Sequence, residues 1–354
     1  MKIFIGSSVL MCASFIVSSA LAVPQQKDLV GLGHKMYVDT SISYNNTQSC
    51  KTCHTPSTGF ADPTNSRDPY NTVVSLGADG VSKGGRNAPS AAYAGYSPAL
   101  HKDPTTGVYV GGMFWDGRAT GNTPNLADPL AEQAQGPPLN PVEMNMPNAA
   151  AVVQAVRDSS YADSFIRVFG PGSLDYVSEA FDNIARAIAA FERSPEVQKF
   201  SSRYDTGGLS VQETRGLAIF KTNCTKCHSA AVAYGAPAPL FTNYSYENIG
   251  VPVNPLLANN PTDYGLGGFL HDPAENGKFK VPTLRNIALT APYSHNGYFA
   301  TLKDIVNFHN SRDSGSWPVP EVLENINRND VGNMGLTDGE VNDVVVFLTA
   351  LTDN

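Results

Sequence analysis

The sequence predicts a mainly α-helical protein of two domains. Three observations carry this: amphipathic helical segments opened by capping residues, a near absence of strand signals, and one motif, Cys-x-x-Cys-His, that occurs once in each half of the 354-residue chain.

Taken in order, residues 1–22 carry Lys2, an apolar run from Ile3 to Val17 broken by serines, and a closing Ala20-Leu21-Ala22. This is the pattern of a signal peptide cut before Val23. The run is short for a bilayer span, so the mature chain is expected to hold no transmembrane segment. Residues 28–37 form a short amphipathic helix leading to Ser49-Cys50-Lys51-Thr52-Cys53-His54, and His34 is expected on its surface. Between Thr55 and Asn148 the chain is rich in Gly, Pro, Asn and Ser and reads as loop; so long a loop-rich stretch points to function.

Helical patterning returns at Ala149–Arg157, Tyr161–Phe169 and Val177–Phe191, the last with Phe181, Ile184, Ala185, Ile188 and Phe191 on one face. Ser194-Pro195 ends it, and residues 200–208 read as the connection between domains. The second half repeats the plan. Ser210-x-x-Glu213 caps a helix leading to Cys224-Thr225-Lys226-Cys227-His228, and residues 230–282 are loop-rich. Thr301-x-x-Asp304 caps a helix bearing Phe308 and His309, and Thr337-x-x-Glu340 caps the last, with Val341, Val344, Val345, Leu348 and Leu351 inward. The domains are therefore 23–200 and 201–354.

The repeated motif carries the chemistry. Two thiols three residues apart can each add to one vinyl group on the edge of a haem, and the adjacent histidine then ligates iron. A lone copy could be a redox dithiol or half of a zinc site. Two copies, each with its histidine and with no third CxxC, point to two covalent haem c groups, attached through Cys50, Cys53, His54 and Cys224, Cys227, His228. Of five cysteines, Cys12 leaves with the leader and the other four belong to these runs, so the mature chain has no disulfide. Such a chain works outside the cytoplasm, in the periplasm or exported to the cell surface. Its formal charge of −8, one unit more negative once Lys2 is removed, argues against nucleic acid or anionic membrane as partner.

With Arg86-Asn87-Ala88-Pro89, Phe114-Trp115-Asp116-Gly117-Arg118, Gln133-Ala-Gln-Gly136-Pro137, Asn140-Pro141-Val142-Glu143-Met144 and Leu284-Arg285-Asn286 through Gly297 in this order around the two runs, the chain resembles the bacterial di-haem cytochrome c peroxidases and the related MauG-type enzymes. The resemblance implies two cytochrome c-like helical domains with a calcium ion between the haems. It makes His54 and His228 the proximal iron ligands, and places Glu143 and Gln133 on the peroxide face of the first haem. It sets Trp115 between the haems as an electron relay, and gives calcium Asn87 together with the backbone carbonyls of Thr290 and Pro292.

Two departures follow from the comparison. The loop before Arg86, Ser75–Gly80, has no histidine to cap the first iron, which implies an open first haem; His101 is the nearby histidine that could overturn this. At the position where the family places Met or Tyr on the second iron, seventeen residues after Pro292, stands His309. A bis-histidine second haem follows, with Met334 the rival ligand. The implied function is a peroxidase reducing hydrogen peroxide with electrons from a small redox donor, a cytochrome c or cupredoxin. A MauG-type oxidase modifying Trp or Tyr of a partner protein and a non-catalytic electron carrier are the alternatives. A homodimer is compatible with the sequence, which does not choose an assembly.

Overall fold

A computed structural model of the chain describes residues 26–354; the expected signal peptide lies outside them. The described residues are mainly helical. In the first half, α1 (Gln26–Tyr37), α2 (Cys50–Cys53), α3 (Pro129–Ala134), α4 (Ala149–Asp158), α5 (Ala162–Phe169) and α6 (Val177–Glu192) enclose one large apolar core. In the second, α7 (Val211–Asn223), α8 (Leu302–Ser311) and α9 (Asp338–Thr349) enclose smaller ones.

The residues explain the helix boundaries. Ser210 with Glu213, Thr301 with Asp304 and Thr337 with Glu340 form reciprocal capping boxes as the sequence predicts. The expected inner face of α6 is buried at every position, each Phe and Ile side chain contributing about 1.5–3 kcal/mol. On α9, Val341, Val344 and Leu348 are buried, but Val345 is only half-buried and Phe347 takes the inward place, because the 3.6-residue period carries position 345 to the flank. His34 is exposed, as expected, and stacks on Phe191 at 4.9 Å.

Each half closes on a pair of long helices that cross at a glycine. A Cβ on Gly33 of α1 would stand 1.8 Å from the Ala187 carbonyl oxygen of α6, and one on Gly216 of α7 would stand 1.9 Å from that of Asp343 on α9. Beside each crossing lies an aromatic four residues further along the partner helix, Phe191 and Phe347.

The stretch read as loop between 55 and 148 contains short helices, α3 among them. Their signal is local: Asp62 and Asp128 cap, and Pro63 and Pro129 follow at the first turn, but the helices are too short to show periodicity. Two antiparallel ribbons complete the fold, β1 (His101–Lys102) with β2 (Tyr109–Val110) and β3 (Tyr246–Glu247) with β4 (Phe279–Lys280). The segment 200–208 is fastened on both sides: Phe200 N–H donates to the Tyr93 hydroxyl at 2.9 Å, and Asp205 pairs with Arg285, a guanidinium only 1% exposed.

Candidate active site: two thiol–imidazole clusters and the space between them

In the first cluster Ser49 caps α2 in a box with Thr52, so that Cys50 and Cys53 lie one helical turn apart. The His54 ring places Nδ1 3.0 Å from the Phe60 carbonyl. Nδ1 thereby holds the proton and Nε2 is left to ligate a metal. All four cysteines are free thiols. Burial is the main cause that pushes their acidity down: Cys53, Cys224 and Cys227 rise to about 12, and Cys50 further, with Glu192 adding to burial there. A redox dithiol needs a thiolate at neutral pH, so these pairs suit covalent attachment.

Glu143, half-buried, lies near enough to Cys50 and Cys53 for its charge to contribute to raising both thiols. Burial raises the Glu143 carboxyl above its ordinary range; Arg118 and a 2.6 Å hydrogen bond from Asn140 Nδ2 oppose the shift. Gln133, half-buried near the end of α3, makes no side-chain hydrogen bond among the described residues. The loop Ser75–Gly80 is fastened to the Glu143 segment: Ala78 N–H donates to the Glu143 carbonyl at 2.7 Å, and the Thr47 hydroxyl holds the Ala78 carbonyl at 2.8 Å. His101 sits exposed on β1, with Nδ1 2.9 Å from the carbonyl of Ala99 in its own loop.

The second cluster lines one cavity together with Met334 and His309. His228 turns Nδ1 to the Phe241 carbonyl at 3.0 Å, and His309 turns Nδ1 to the Ile305 carbonyl at 2.7 Å. Both present Nε2 for ligation. Burial, with His309 as a nearby like group, depresses His228 to about 4; the Phe241 carbonyl opposes the shift. Met334 is held close by, its N–H donating to the Asn310 carbonyl at 2.9 Å. The structure therefore brings both candidate ligands to the same space.

Asn87, Trp115, Thr290 and Pro292 line this cavity as well. The Trp115 indole N–H donates to the Asn87 carbonyl at 2.9 Å, and Asn87 is tied down through Nδ2 to Val73 and N–H to His295. Among the described residues no hydrogen bond ends on Asn87 Oδ1 or on the carbonyls of Thr290 and Pro292, so these oxygens are open to a hard cation. No three His, Cys, Asp or Glu side chains converge on a metal position among the described residues. Sequence reasoning missed Lys280, whose burial depresses its acidity constant to about 8 while Nζ donates to the Gly112 carbonyl at 2.7 Å. It also missed the buried Tyr93; a lone lysine or tyrosine carries no motif.

The family model described as di-haem cytochrome c peroxidase matches residues 27–213. Methylamine utilization protein MauG of Paracoccus denitrificans is 40% identical over 94% of this chain and 90% of that protein. This chain belongs to the di-haem cytochrome c peroxidase family. Cytochrome c551 peroxidase of Pseudomonas aeruginosa is 32% identical over 85% of this chain and 76% of that protein. Among solved structures, the diheme peroxidase BthA of Burkholderia thailandensis superposes with a TM-score of 0.80 at 31% identity, covering 93% of this chain and 87% of that one.

Membership of the di-haem cytochrome c peroxidase family makes the chain an oxidoreductase acting on peroxide and brings two haem c groups. The residues fit them. Each cluster offers two thiols and an imidazole whose outer nitrogen is already committed to a backbone carbonyl. When bound, haem supplies iron that exchanges electrons with peroxide. Among the described residues of this di-haem cytochrome c peroxidase, no helix is long and apolar enough to cross a membrane.

Proposed function

We propose that the chain is an exported, periplasmic or cell-surface di-haem peroxidase that reduces hydrogen peroxide to two waters at the N-terminal haem site. Its two electrons enter through the C-terminal site from a small redox donor, a cytochrome c or cupredoxin. The sites belong to two cytochrome c-like domains, 23–200 and 201–354. The observation that carries this reading is Glu143: a half-buried carboxylate near enough to the Cys50–Cys53 pair for its charge to act on both thiols, hydrogen-bonded through its backbone to a Ser75–Gly80 loop that brings no histidine. As carboxylate, Glu143 takes a proton from the near oxygen of peroxide and returns it to the departing one, and Gln133 orients the substrate. His228 and His309 would hold the second haem's iron through their imidazoles, whose Nδ1 atoms already face backbone carbonyls. Trp115 relays electrons between the sites, and calcium binds Asn87 Oδ1 and the Thr290 and Pro292 carbonyls.

The test has two parts. The ferric EPR spectrum should show a high-spin and a low-spin haem, and steady-state oxidation of a reduced cytochrome c or blue-copper donor by peroxide should be rapid. A wholly low-spin spectrum would return the chain to electron carriage.

A second reading, a MauG-type oxidase that modifies Trp or Tyr of a partner protein, is favoured by the 40% identity to MauG over 94% of the chain. Negligible turnover with small donors, joined to peroxide reactivity, would select it.

A further inference from the structure

Tyr93 stands where the two halves meet. Its backbone is left-handed (φ 63°), and the residue is 1% exposed. Its ring packs edge-on against Phe200 of the connecting segment at 4.8 Å and lines the cavity that holds His228 and His309. Two residues earlier, Ala91 N–H donates to the Phe60 carbonyl, the same oxygen that holds His54 Nδ1. One short strand of backbone thus reaches from the first imidazole to the wall of the second site.

The hydroxyl has two partners with opposite roles. It accepts the Phe200 N–H at 2.9 Å and donates to Asp353 Oδ2 at 2.6 Å. Asp353 is held in place by Asn286 Nδ2 and Ser201 N–H, both at 2.9 Å. Among the described residues the phenolic proton is therefore given to a carboxylate, a group that can keep it. Other buried tyrosines differ: Tyr37, Tyr246 and Tyr293 donate to the carbonyls of His54, Gly111 and Ile287, which cannot store a proton. Tyr161 donates to Asp39 but does not line the cavity.

We propose that Tyr93 is a redox-active residue that stores one oxidising equivalent between the two haem sites, with Asp353 as its proton acceptor. The proposal rests on the peroxide chemistry above, because hydrogen peroxide is the oxidant that first removes electrons from the haem pair. One electron then passes from the Tyr93 ring to the oxidised pair, reducing it by one equivalent. The O–H bond breaks, its proton joins Asp353 Oδ2, and a neutral tyrosyl radical remains. An electron from the donor and the proton from Asp353 restore the phenol.

The surroundings enforce this coupling. Burial foremost, with the Asp353 hydrogen bond, holds the phenol well above its usual acidity constant, so it stays protonated until it is oxidised. The Arg285 guanidinium, 5.3 Å from the ring, opposes positive charge on it. The electron can leave only together with the proton.

The experiment is freeze-quench EPR of the fully haem-loaded ferric protein mixed with hydrogen peroxide, with and without ring-deuterated tyrosine. The expected result is an organic-radical signal that narrows on deuteration, is lost in Tyr93→Phe and persists in Tyr161→Phe. In Asp353→Asn, which keeps an acceptor oxygen but no basic site, radical formation should slow about a hundredfold. An undiminished tyrosyl signal in Tyr93→Phe, with haem content and circular dichroism matching the parent, overturns the assignment, as does its loss in Tyr161→Phe alone. The haem absorption recorded in the same mixing separates the two readings. A peroxide-induced absorption change without a tyrosyl signal overturns the role of Tyr93 alone; no absorption change overturns the peroxide reading and this one together.

Discussion

Trp115 donates its indole N–H to the backbone carbonyl of Asn87, the residue whose side chain is proposed to bind calcium. In the proposed arrangement, occupancy of the cation site and placement of the aromatic are thus coupled through one residue. Removing calcium with a chelator should slow electron exchange between the haems by about tenfold to a hundredfold, the cost of a misplacement of about 1 Å. Stopped-flow reduction followed at both haems measures this. Readded calcium should restore the rate, and Asn87→Ala should reproduce the loss; an unchanged rate breaks the link.

His309 and Met334 share a cavity, and a substitution separates them. His309→Ala should convert the low-spin haem signal to high-spin while Cys224 and Cys227 keep the group attached. Met334→Ala should leave the low-spin signal intact. The reverse pattern in ferric EPR assigns the iron to Met334.

The proposed role of Glu143 requires a carboxylate, and burial raises its pKa above the ordinary carboxyl range. Protonation removes the base, so the rate of peroxide cleavage should fall as pH drops through that raised value. Glu143→Gln should abolish this acid limb and lower the rate by about 10²–10⁴-fold at neutral pH, with haem content unchanged. A pH–rate profile that keeps its acid limb in the variant rules out this role.

How much of this could be read from the chain divides by range. Capping boxes and the face of α6 follow from spacing alone and form as read, because they depend on residues within a turn or two. The helix α3 under Gln133 escaped because six residues cannot show a period, although Asp128-Pro129 marked its start. The thiol–imidazole clusters were legible because covalent attachment fixes the spacing. Tyr93, Lys280 and Arg285 were not, since their meaning comes from partners such as Asp353, Gly112 and Asp205 that lie far along the sequence.

Glu192, 5% exposed and with Oε2 unpartnered, is pushed up to about 8 by burial. Its folded pKa lies above the unfolded value, so the folded state holds the proton more tightly. The stability this contributes is complete below the unfolded carboxyl pKa and is lost as pH rises towards 8, at about 1.4 kcal/mol for each unit of displacement. Glu192→Gln should flatten the dependence of the urea midpoint on pH between about 5 and 8. A slope equal to the parent's argues against it.

Gly216→Ala should force α7 from α9, since its Cβ would meet the Asp343 carbonyl at 1.9 Å. A loss of about 1–3 kcal/mol or more is expected in denaturant unfolding, and Gly33→Ala should cost the first half similarly.

Those two glycines also show one construction used twice. The same joint, a helical glycine against a carbonyl with an aromatic four residues on, is built once at Gly33, Ala187 and Phe191 and again at Gly216, Asp343 and Phe347. The two halves thus share one kind of helical joint, while the residues that set them apart, Glu143 between α3 and α4 and His309 on α8, lie outside it, so substitutions at either can alter a site's chemistry without touching the frame.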